Sequence, residues 1–296
     1  MQLRDWFWLL LVGSIWGCSF LFNAVLLREV GPIWVSAGRV TIAAIGCWVF
    51  FLALGKKLPT DIGLWVRLMI LGVFSYAVPF MLFPLGQTHI ASGLTAIINA
   101  LTPITTVVVS NFWPGGERAT VNKSLGVLAG FAGATLLALP ALQQGGSTQL
   151  WAILVCFCAT LCYAVTLNAA RAFARIDPTT IATIAMTGAA VAALPVAFLF
   201  EGVPHVTRIE TWGAWLGLGL AASTFTFQIM YRLLPRIGVT NFAINTFITP
   251  VFAIILGVIF LGEAILPIQF LGMLVIFVGL LLIDGRLFKR FRRAPA

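Results

Sequence analysis

Apolar residues along the chain form ten runs of about twenty residues, and short polar breaks separate them. Runs of this length match the ~20 residues of a transmembrane helix, whereas a membrane barrel shows alternating strands of about ten residues. The breaks contain turn-forming residues, as in GKKLPTD at 55–61 and WPGGER at 113–118. The pattern predicts an all-α integral membrane fold with ten transmembrane helices. The predicted spans are residues 5–27, 33–54, 64–86, 90–112, 121–140, 149–170, 179–200, 212–233, 240–261 and 267–286.

The composition supports a membrane protein. Of the 296 residues, 60% are hydrophobic and 9% are charged, with a mean hydropathy of +1.04. Soluble domains are roughly 25% charged, so this chain has too few charges to cover a soluble surface. The net charge of +9 does not indicate nucleic-acid binding, because the basic residues lie between the apolar runs and do not form one face. The first run continues past Trp16 to Leu27, which favours a retained span over a cleaved signal.

Basic residues between the spans fall mainly on one side of the predicted membrane. Fifteen lysines and arginines lie on the side of the two termini, and only Arg28 and Arg208 lie on the other side. Because cytoplasmic loops carry the excess of basic residues, both termini are expected in the cytoplasm, with the chain in the plasma (bacterial inner) membrane. The basic tail 287–296 is expected to lie on anionic lipid headgroups.

Matching residues recur in the same order in the two halves of the chain. The recurring sets are Glu117, Gly126 and Gly133 with Glu263, Gly272 and Gly279, and Thr102-Pro103 with Thr249-Pro250. They predict two homologous repeats, residues 1–143 and 144–286, with five spans each. Since five is odd, the second repeat enters the membrane in the opposite sense, as in carriers whose site lies near the midplane between inverted repeats. The glycines are interpreted as packing within the chain or as the seam of a homodimer.

Polar residues form stripes in spans four and nine, where bare amides facing lipid would cost several kcal/mol. The stripes are Ser92, Thr95, Asn99, Thr102 and Thr106, and Asn241, Asn245 and Thr249. Two interpretations stay open: the residues join helices, or the two stripes line a central cavity. Pro103 and Pro250 remove backbone hydrogen bonds and free the carbonyls of Asn99 and Thr246, so they are predicted to act as kinks and hinges.

Aromatic residues at helical spacing supply further candidates for the cavity lining. They are Trp16, Phe20 and Asn23 in span one, Tyr76, Phe80 and Phe83 in span three, Tyr163 in span six, and Phe227, Gln228 and Tyr231 in span eight. Packing and membrane-interface positions are the competing interpretations. Arg39 is the one basic residue well inside a span. It is expected to pair with a helix end or with Glu29, or to bind a substrate carboxylate.

The sequence gives no indication of catalysis or of a cofactor. Cys158 and Cys162 lie one helical turn apart, but two thiols without a nearby histidine or acid make a poor metal site, so none is expected. No nucleotide-binding GxxxxGK[ST] motif is present. The acidic residues lie at span ends and not at mid-membrane, which favours facilitated movement without a tightly coupled ion. A lipid scramblase is the alternative outside transport.

The ordered motifs resemble those of the drug/metabolite transporter superfamily, specifically its EamA-type members. The resemblance rests on Trp16-Gly17 in the first span, the two Thr-Pro pairs, and GE at 262–263 followed by a glycine-spaced span. It implies alternating access by two inverted repeats, and within the superfamily the chain looks most like exporters of amino acids, including aromatic ones. Carriers of sugars, nucleotide-sugars or cationic drugs, with proton coupling, are the alternative. The first half reads PGGER where the second reads LGEA, so the two glutamates need not have the same role.

Overall fold

The computed structural model describes residues 2–143, 146–237 and 242–284, without the side chains of Gln143, Tyr231, Leu234 and Pro235. These residues form helices and no strand. The helices, numbered in chain order, are α1 Leu3–Leu26, α2 Pro32–Ala53, α3 Ile62–Gln87, α4 Ser92–Phe112, α5 Val121–Gln143, α6 Ser147–Phe173, α7 Pro178–Glu201, α8 209–237, α9 Asn245–Leu261 and α10 Pro267–Asp284.

The structure confirms the predicted all-helical membrane fold. In the described part of the chain, eight helices are long and apolar enough to cross a membrane, and α9 is a shorter apolar helix. The tenth, α8, consists of three consecutive segments: Ile209–Leu216, Gly217–Phe225 and Thr226–Ile237. The start of predicted span nine at 240–241 and the tail 287–296 lie outside the described residues.

Side-chain contacts between loops define two faces of the bundle. On one face, Lys56 Nζ lies 2.8 Å from Asp177 Oδ1, and Arg236 Nη2 lies 2.7 Å from Asp5 Oδ1. We call this the basic face. It contains the α2–α3 and α6–α7 connections, which the first pair joins, and the start of α1 and the last part of α8, which the second pair joins.

The opposite face is closed by carboxylates, and we call it the carboxylate face. It joins the α1–α2, α3–α4, α7–α8 and α9–α10 connections. The ring of Trp151, near the start of α6, packs on His89 between α3 and α4, with 5.7 Å between centroids. Helix α1 therefore starts at the basic face and α6 at the carboxylate face, which confirms the inverted repeat.

Helix packing follows the pseudo-twofold relation between the repeats. α1 packs on α9 and its counterpart α6 packs on α4, while α3 packs on α7 and α8 packs on α2. α2 packs on α7, and α5 on α10, across the pseudo-axis. The two halves therefore interlock through most of their helices instead of standing side by side.

The third helix of each repeat contains a π-helical segment, Val73–Ala77 in α3 and Gly217–Phe225 in α8. Such a segment disturbs the regular backbone ladder, and neighbouring side chains bond to its carbonyls. Ser36 Oγ of α2 donates to the Ala77 carbonyl at 2.7 Å. Trp16 Nε1 of α1 donates to the Ala222 carbonyl at 3.2 Å. Each irregular segment is thus fixed by a neighbouring helix.

The two Thr-Pro pairs differ in structure. α4 is interrupted by a turn at Ala100–Leu101, directly before Thr102-Pro103. The Asn99 carbonyl, which loses its backbone donor to Pro103, accepts the Thr102 hydroxyl at 2.7 Å. At the second pair, α9 continues through Pro250, which lies close to the first turn of the helix. A hinge role for either proline stays a prediction.

The glycines of α5 and α10 allow their backbones to touch. A Cβ on Gly133 would lie 2.7 Å from the Gly272 carbonyl oxygen, and one on Gly126 would lie 2.6 Å from that of Gly279. These glycines therefore serve packing within the chain, one of the two roles predicted for them.

We expect Gly133→Ala to destabilise the folded protein by about 1–3 kcal/mol, since the methyl group meets backbone atoms that cannot rotate away. The midpoint of thermal unfolding in detergent measures this. Gly213→Ala is the matched control, because no atom lies within 4 Å of its added Cβ. Equal midpoints for the two variants would contradict the close α5–α10 contact.

Candidate functional site

Arg39 lies inside the bundle with its guanidinium among uncharged groups. The side chain is 7% exposed, and its Nε donates to Ser223 Oγ of α8 at 3.1 Å. The guanidinium carbon lies 3.5 Å from the ring centroid of Phe80 in α3, which is a cation–π contact. In the described part of the chain, no carboxylate lies within ion-pair distance of Arg39. The expected pairing with Glu29 is wrong, because Glu29 binds groups at the carboxylate face.

Aromatic rings from four helices pack in two sets of three, and Phe80 of the first set contacts this arginine. Tyr76 lies between Phe80 and Phe227, with ring centroids 5.9 and 5.6 Å away. Phe83 lies between Tyr163 and Phe20, with centroids 6.0 and 6.1 Å away. Six of the predicted aromatic residues therefore pack against one another in these two sets, and the first set reaches Arg39 through Phe80. We call the two sets and Arg39 the central cluster: Phe20, Arg39, Tyr76, Phe80, Phe83, Tyr163 and Phe227.

Two other predicted residues of α1 border the central cluster. Trp16 Nε1 donates to Thr226 Oγ1 at 3.1 Å as well as to the Ala222 carbonyl, so it ties α1 to α8. Asn23 Nδ2 donates to Gln87 Oε1 at 2.9 Å, and Gln87 Nε2 donates to the Phe20 carbonyl at 3.0 Å. These bonds fix α1 against α3. The Asn23 Oδ1 atom is buried without a described partner.

The polar stripe of α9 faces protein. Thr249 Oγ1 donates to the Gly13 carbonyl of α1 at 3.3 Å, and Asn245 Nδ2 donates to the Phe242 carbonyl at 3.1 Å. A Cβ on Gly13 would lie 2.8 Å from Asn245 Oδ1, so α1 and α9 are in close contact here. These contacts correspond to the helix-joining interpretation, and Asn241 lies outside the described residues.

The stripe of α4 is divided by the turn at 100–101. Thr105, which was not among the predicted stripe residues, donates to the Thr160 carbonyl of α6 at 3.2 Å. Asn99 and Thr102 are only partly buried. No described contact joins Asn99, Thr102, Asn245 or Thr249 to the central cluster, and a substrate-binding role for them stays a prediction.

The Gln228 candidate of α8 lies away from the central cluster. The Gln228 side chain lines a groove that opens at the basic face. The Tyr231 side chain lies outside the described residues.

The sequence did not indicate Ser223 as a site residue. It lies in the π-helical segment of α8, 147 positions after Tyr76, which lies in the corresponding segment of α3. Applying the separation of the Thr-Pro pairs to the aromatic candidates would have found it.

Three glutamates close the carboxylate face by linking one repeat to the other. Glu29 of the first repeat accepts hydrogen bonds from the Thr207 hydroxyl at 2.5 Å, from the Thr207 and Arg208 amides at 3.2 and 3.3 Å, and from the Thr211 hydroxyl. Its partners lie at the start of α8. The side-chain bonds from Thr207 and Thr211 are the main causes that lower the pKa of Glu29 to about 2.

Glu201 and Glu263 of the second repeat cap helices of the first repeat. Glu201 accepts from the amides of Ile33 and Trp34 at the start of α2, both at 3.0 Å. Glu263 accepts from the Ser92 amide at 2.7 Å, the Ser92 hydroxyl at 2.8 Å and the Gly93 amide at 3.1 Å, at the start of α4. Carboxylates at these positions also complement the positive ends of the helix dipoles.

The corresponding glutamate at the basic face makes no such link. Glu117 matches Glu263 in the repeat, but it pairs with Lys123 of its own half at 2.5 Å. This bond is the main cause that lowers the pKa of Glu117. The expectation that the two glutamates need not act alike is therefore confirmed.

No metal site was found in the part of the chain that the structure describes, because no three histidine, cysteine or acidic side chains lie together there.

Interlocked inverted repeats around a buried polar and aromatic centre define the class of multi-pass membrane carriers. The family model of EamA-like transporters matches residues 5–139 and 150–284, so nearly the whole chain is covered. The chain belongs to the EamA-like transporter family and is a membrane transporter of the drug/metabolite transporter superfamily.

Similar proteins carry transporter names. A probable terminal-alkyne amino-acid exporter of Streptantibioticus cattleyicolor is 24% identical over 99% of this chain and 98% of that protein. The uncharacterized transporter YoaV of Bacillus subtilis is 25% identical over 91% of this chain and 92% of that protein. A solved crystal structure that is 20% identical superposes with a TM-score of 0.69, covering 99% of this chain and all of that chain. This structural match supports the fold.

We expect Glu29→Gln to reduce the loss of stability on acidification. Because the pKa of Glu29 is lowered from 4.5 to about 2 in the folded protein, its contribution is present above about pH 4.5 and is lost as the pH falls toward 2. The thermal midpoint of the wild type should therefore fall further across this window than that of the variant. Glu210→Gln removes an exposed carboxylate at the start of α8, close in the chain to the partners of Glu29, and is the control that should behave like the wild type. The same fall in all three proteins would contradict the Glu29 contacts.

Proposed function

We propose that the protein exports amino acids with aromatic or other hydrophobic side chains. Arg39 carries this proposal. A buried guanidinium is costly unless it has a partner, and its five donors fit a carboxylate in a two-point contact. Ser223 and the face of Phe80 occupy part of its hydrogen-bonding and electrostatic capacity, but neither carries a negative charge. A substrate carboxylate would supply the missing charge.

The aromatic rings of the central cluster fit the rest of such a substrate. Tyr76, Phe80 and Phe227 lie on the Arg39 side of the cluster, and Phe83 and Tyr163 lie beside them. Aromatic pairs prefer tilted or edge-to-face packing, and a substrate ring that packs against these rings would adopt the same geometry. The name of the Streptantibioticus relative, a probable amino-acid exporter, supports the same substrate class.

Other substrates make different demands on the site. A cationic drug would favour a carboxylate near the central cluster, and no ion pair is described there. A nucleotide-sugar would also satisfy Arg39 through its phosphates, so its transport is a separate outcome of the test.

Alternating access gives the two faces separate roles in this proposal. The three glutamate links close the carboxylate face, whereas grooves are open at the basic face. If the basic face is cytoplasmic, as the distribution of lysine and arginine predicts, the structure represents a state closed toward the outside. Outward release then requires the links made by Glu29, Glu201 and Glu263 to break.

We expect Arg39→Gln to reduce phenylalanine transport in proteoliposomes at least tenfold, since truncating one partner of a buried charge pair costs more than about 2 kcal/mol. Arg67→Gln is the matched control, because Arg67 is exposed at the basic face and should transport at the wild-type rate. The measurement is counterflow of labelled phenylalanine, with unlabelled amino acids and a nucleotide-sugar as competitors. Wild-type flux in Arg39→Gln, or competition by the nucleotide-sugar alone, would reject the proposed substrate.

We further expect transport to be facilitative, because the acidic residues lie at the ends of the helices. Collapsing the pH gradient across the proteoliposomes with a protonophore should leave the initial rate of phenylalanine counterflow unchanged. A proteoliposome with a known proton-coupled carrier provides the control for collapse of the gradient. Strong inhibition of this protein would instead establish proton coupling.

A further inference from the structure

A groove of about 340 Å³ opens at the basic face between α1, α2 and α8. Three arginines line it: Arg4 at the start of α1, and Arg232 and Arg236 in the last part of α8. Arg236 is neutralised by Asp5, whose Oδ1 lies 2.7 Å from its Nη2. Arg4 and Arg232 are exposed and have no acidic partner among the described residues. The groove therefore has two positive charges that are not compensated.

The deeper part of the groove holds a buried amide without a partner. The Gln228 side chain is 6% exposed, and its Nε2 has no hydrogen-bond partner in the described part of the chain. Leaving a buried donor unsatisfied is unfavourable, since the group has lost its hydrogen bonds to water. A ligand with acceptor oxygens in the groove would satisfy this amide and approach the two free arginines.

The remaining walls of the groove are apolar. Trp8, Phe50 and Phe225 line it, and the Phe225 side chain is 41% exposed on the outer surface of the bundle. An apolar wall beside arginines at the end of a membrane helix provides two environments at once: one for an acyl chain and one for a phosphate.

We propose that this groove binds one anionic phospholipid from the membrane leaflet at the basic face. The lipid phosphate accepts hydrogen bonds from Arg4, Arg232 and the Gln228 amide, and an acyl chain lies against Trp8, Phe50 and Phe225. The charge of the groove selects an anionic headgroup over a zwitterionic one. The apolar walls select a lipid over free phosphate.

A second groove at the same face provides a contrast. It lies between α3, α4 and α6, with a volume of about 710 Å³, and Arg67 and Arg171 line it. Its buried unpartnered atom is Asn168 Oδ1, an acceptor that an anion cannot satisfy, while Asn168 Nδ2 already donates to the Ala164 carbonyl at 2.8 Å. The second groove thus has arginines without a free buried donor, which makes it a matched control.

Native mass spectrometry of the delipidated full chain in detergent tests the proposal. The protein is titrated with phosphatidylglycerol and with phosphatidylcholine of the same acyl chains. We expect Arg4→Gln with Arg232→Gln to weaken the first phosphatidylglycerol bound at least tenfold, since each arginine contributes about fivefold. Gln228→Leu should weaken it several-fold. The wild type should bind phosphatidylcholine more weakly than phosphatidylglycerol, because the choline cation offsets the charge of the phosphate. Arg67→Gln with Arg171→Gln removes the same charge and should bind like the wild type.

Three results would overturn the proposal. One is equal loss of phosphatidylglycerol binding in the two double variants, which would mean that net charge alone attracts the lipid. Another is displacement of the lipid by inorganic phosphate at similar concentrations, which would identify a phosphate site. The last is loss of a dimer signal in the groove variants, which would identify a second copy of the chain as the occupant. If the double variant does not fold, the two single arginine variants, each expected to weaken binding about fivefold, replace it. Lipid binding is measured without transport, so this test and the substrate test fail independently.

Discussion

The absence of hydrogen-bonding solvent inside a membrane governs this structure, because each backbone polar group there needs a partner in the protein. The irregular places show the consequence most clearly. The Asn99 carbonyl, freed by Pro103, accepts the Thr102 hydroxyl, and the π-helical segments of α3 and α8 receive bonds from Ser36 and Trp16. Breaks in regular helix are thus stabilised by contacts from the same or a neighbouring helix. The helices that supply these contacts are held in register by them.

The central cluster departs from the symmetry of the repeats at its charged residue. Trp16 and Tyr163 are separated by 147 positions, as are Phe80 and Phe227, so the aromatic frame repeats in the two halves. Arg39 does not repeat, since Met186 occupies the matching position. Because the aromatic residues repeat and the positive charge does not, the two ends of the site differ in charge. An amino acid bound there would be oriented by its carboxylate, and the aromatic frame would accept its side chain.

The sequence predicted the general architecture well because hydrophobic length and charge bias act along the chain. Ten apolar runs and an odd number of spans in each repeat were enough to predict the inverted fold. Residues spaced by three and four share one helix face, and six of the aromatic candidates form two sets of packed rings. Their role in substrate binding stays a prediction.

The partners of the polar residues could not be predicted, because they depend on how helices distant in the chain are placed. The hydrophobic pattern of α3 and α8 does not distinguish a π-helical segment from regular helix, so Ser223 was missed. Glu29 is one of the partners that the sequence allows for Arg39, but Glu29 lies just after α1 and accepts hydrogen bonds from Thr207 and Thr211. The glutamates were correctly placed at span ends, yet the sequence did not show that three of them link the repeats.

Those links explain how nearly equivalent repeats can produce two unequal faces. Glu263 caps the start of α4 across the repeat boundary, whereas its counterpart Glu117 is held by Lys123 within its own half. If both glutamates made cross-repeat caps, both faces would be closed. Neither face would then open more easily than the other. The basic face is joined across the repeats by two ion pairs, Lys56–Asp177 and Arg236–Asp5, and it also has open grooves. The repeats can therefore separate there by breaking ion pairs, without exposing a helix end that is capped by a carboxylate of the other repeat. In the proposed cycle, the state that is open at the carboxylate face loses the three caps. Contacts made at the basic face must compensate for that loss. The residues that form those contacts are therefore expected among the helix ends there, which already carry the charges.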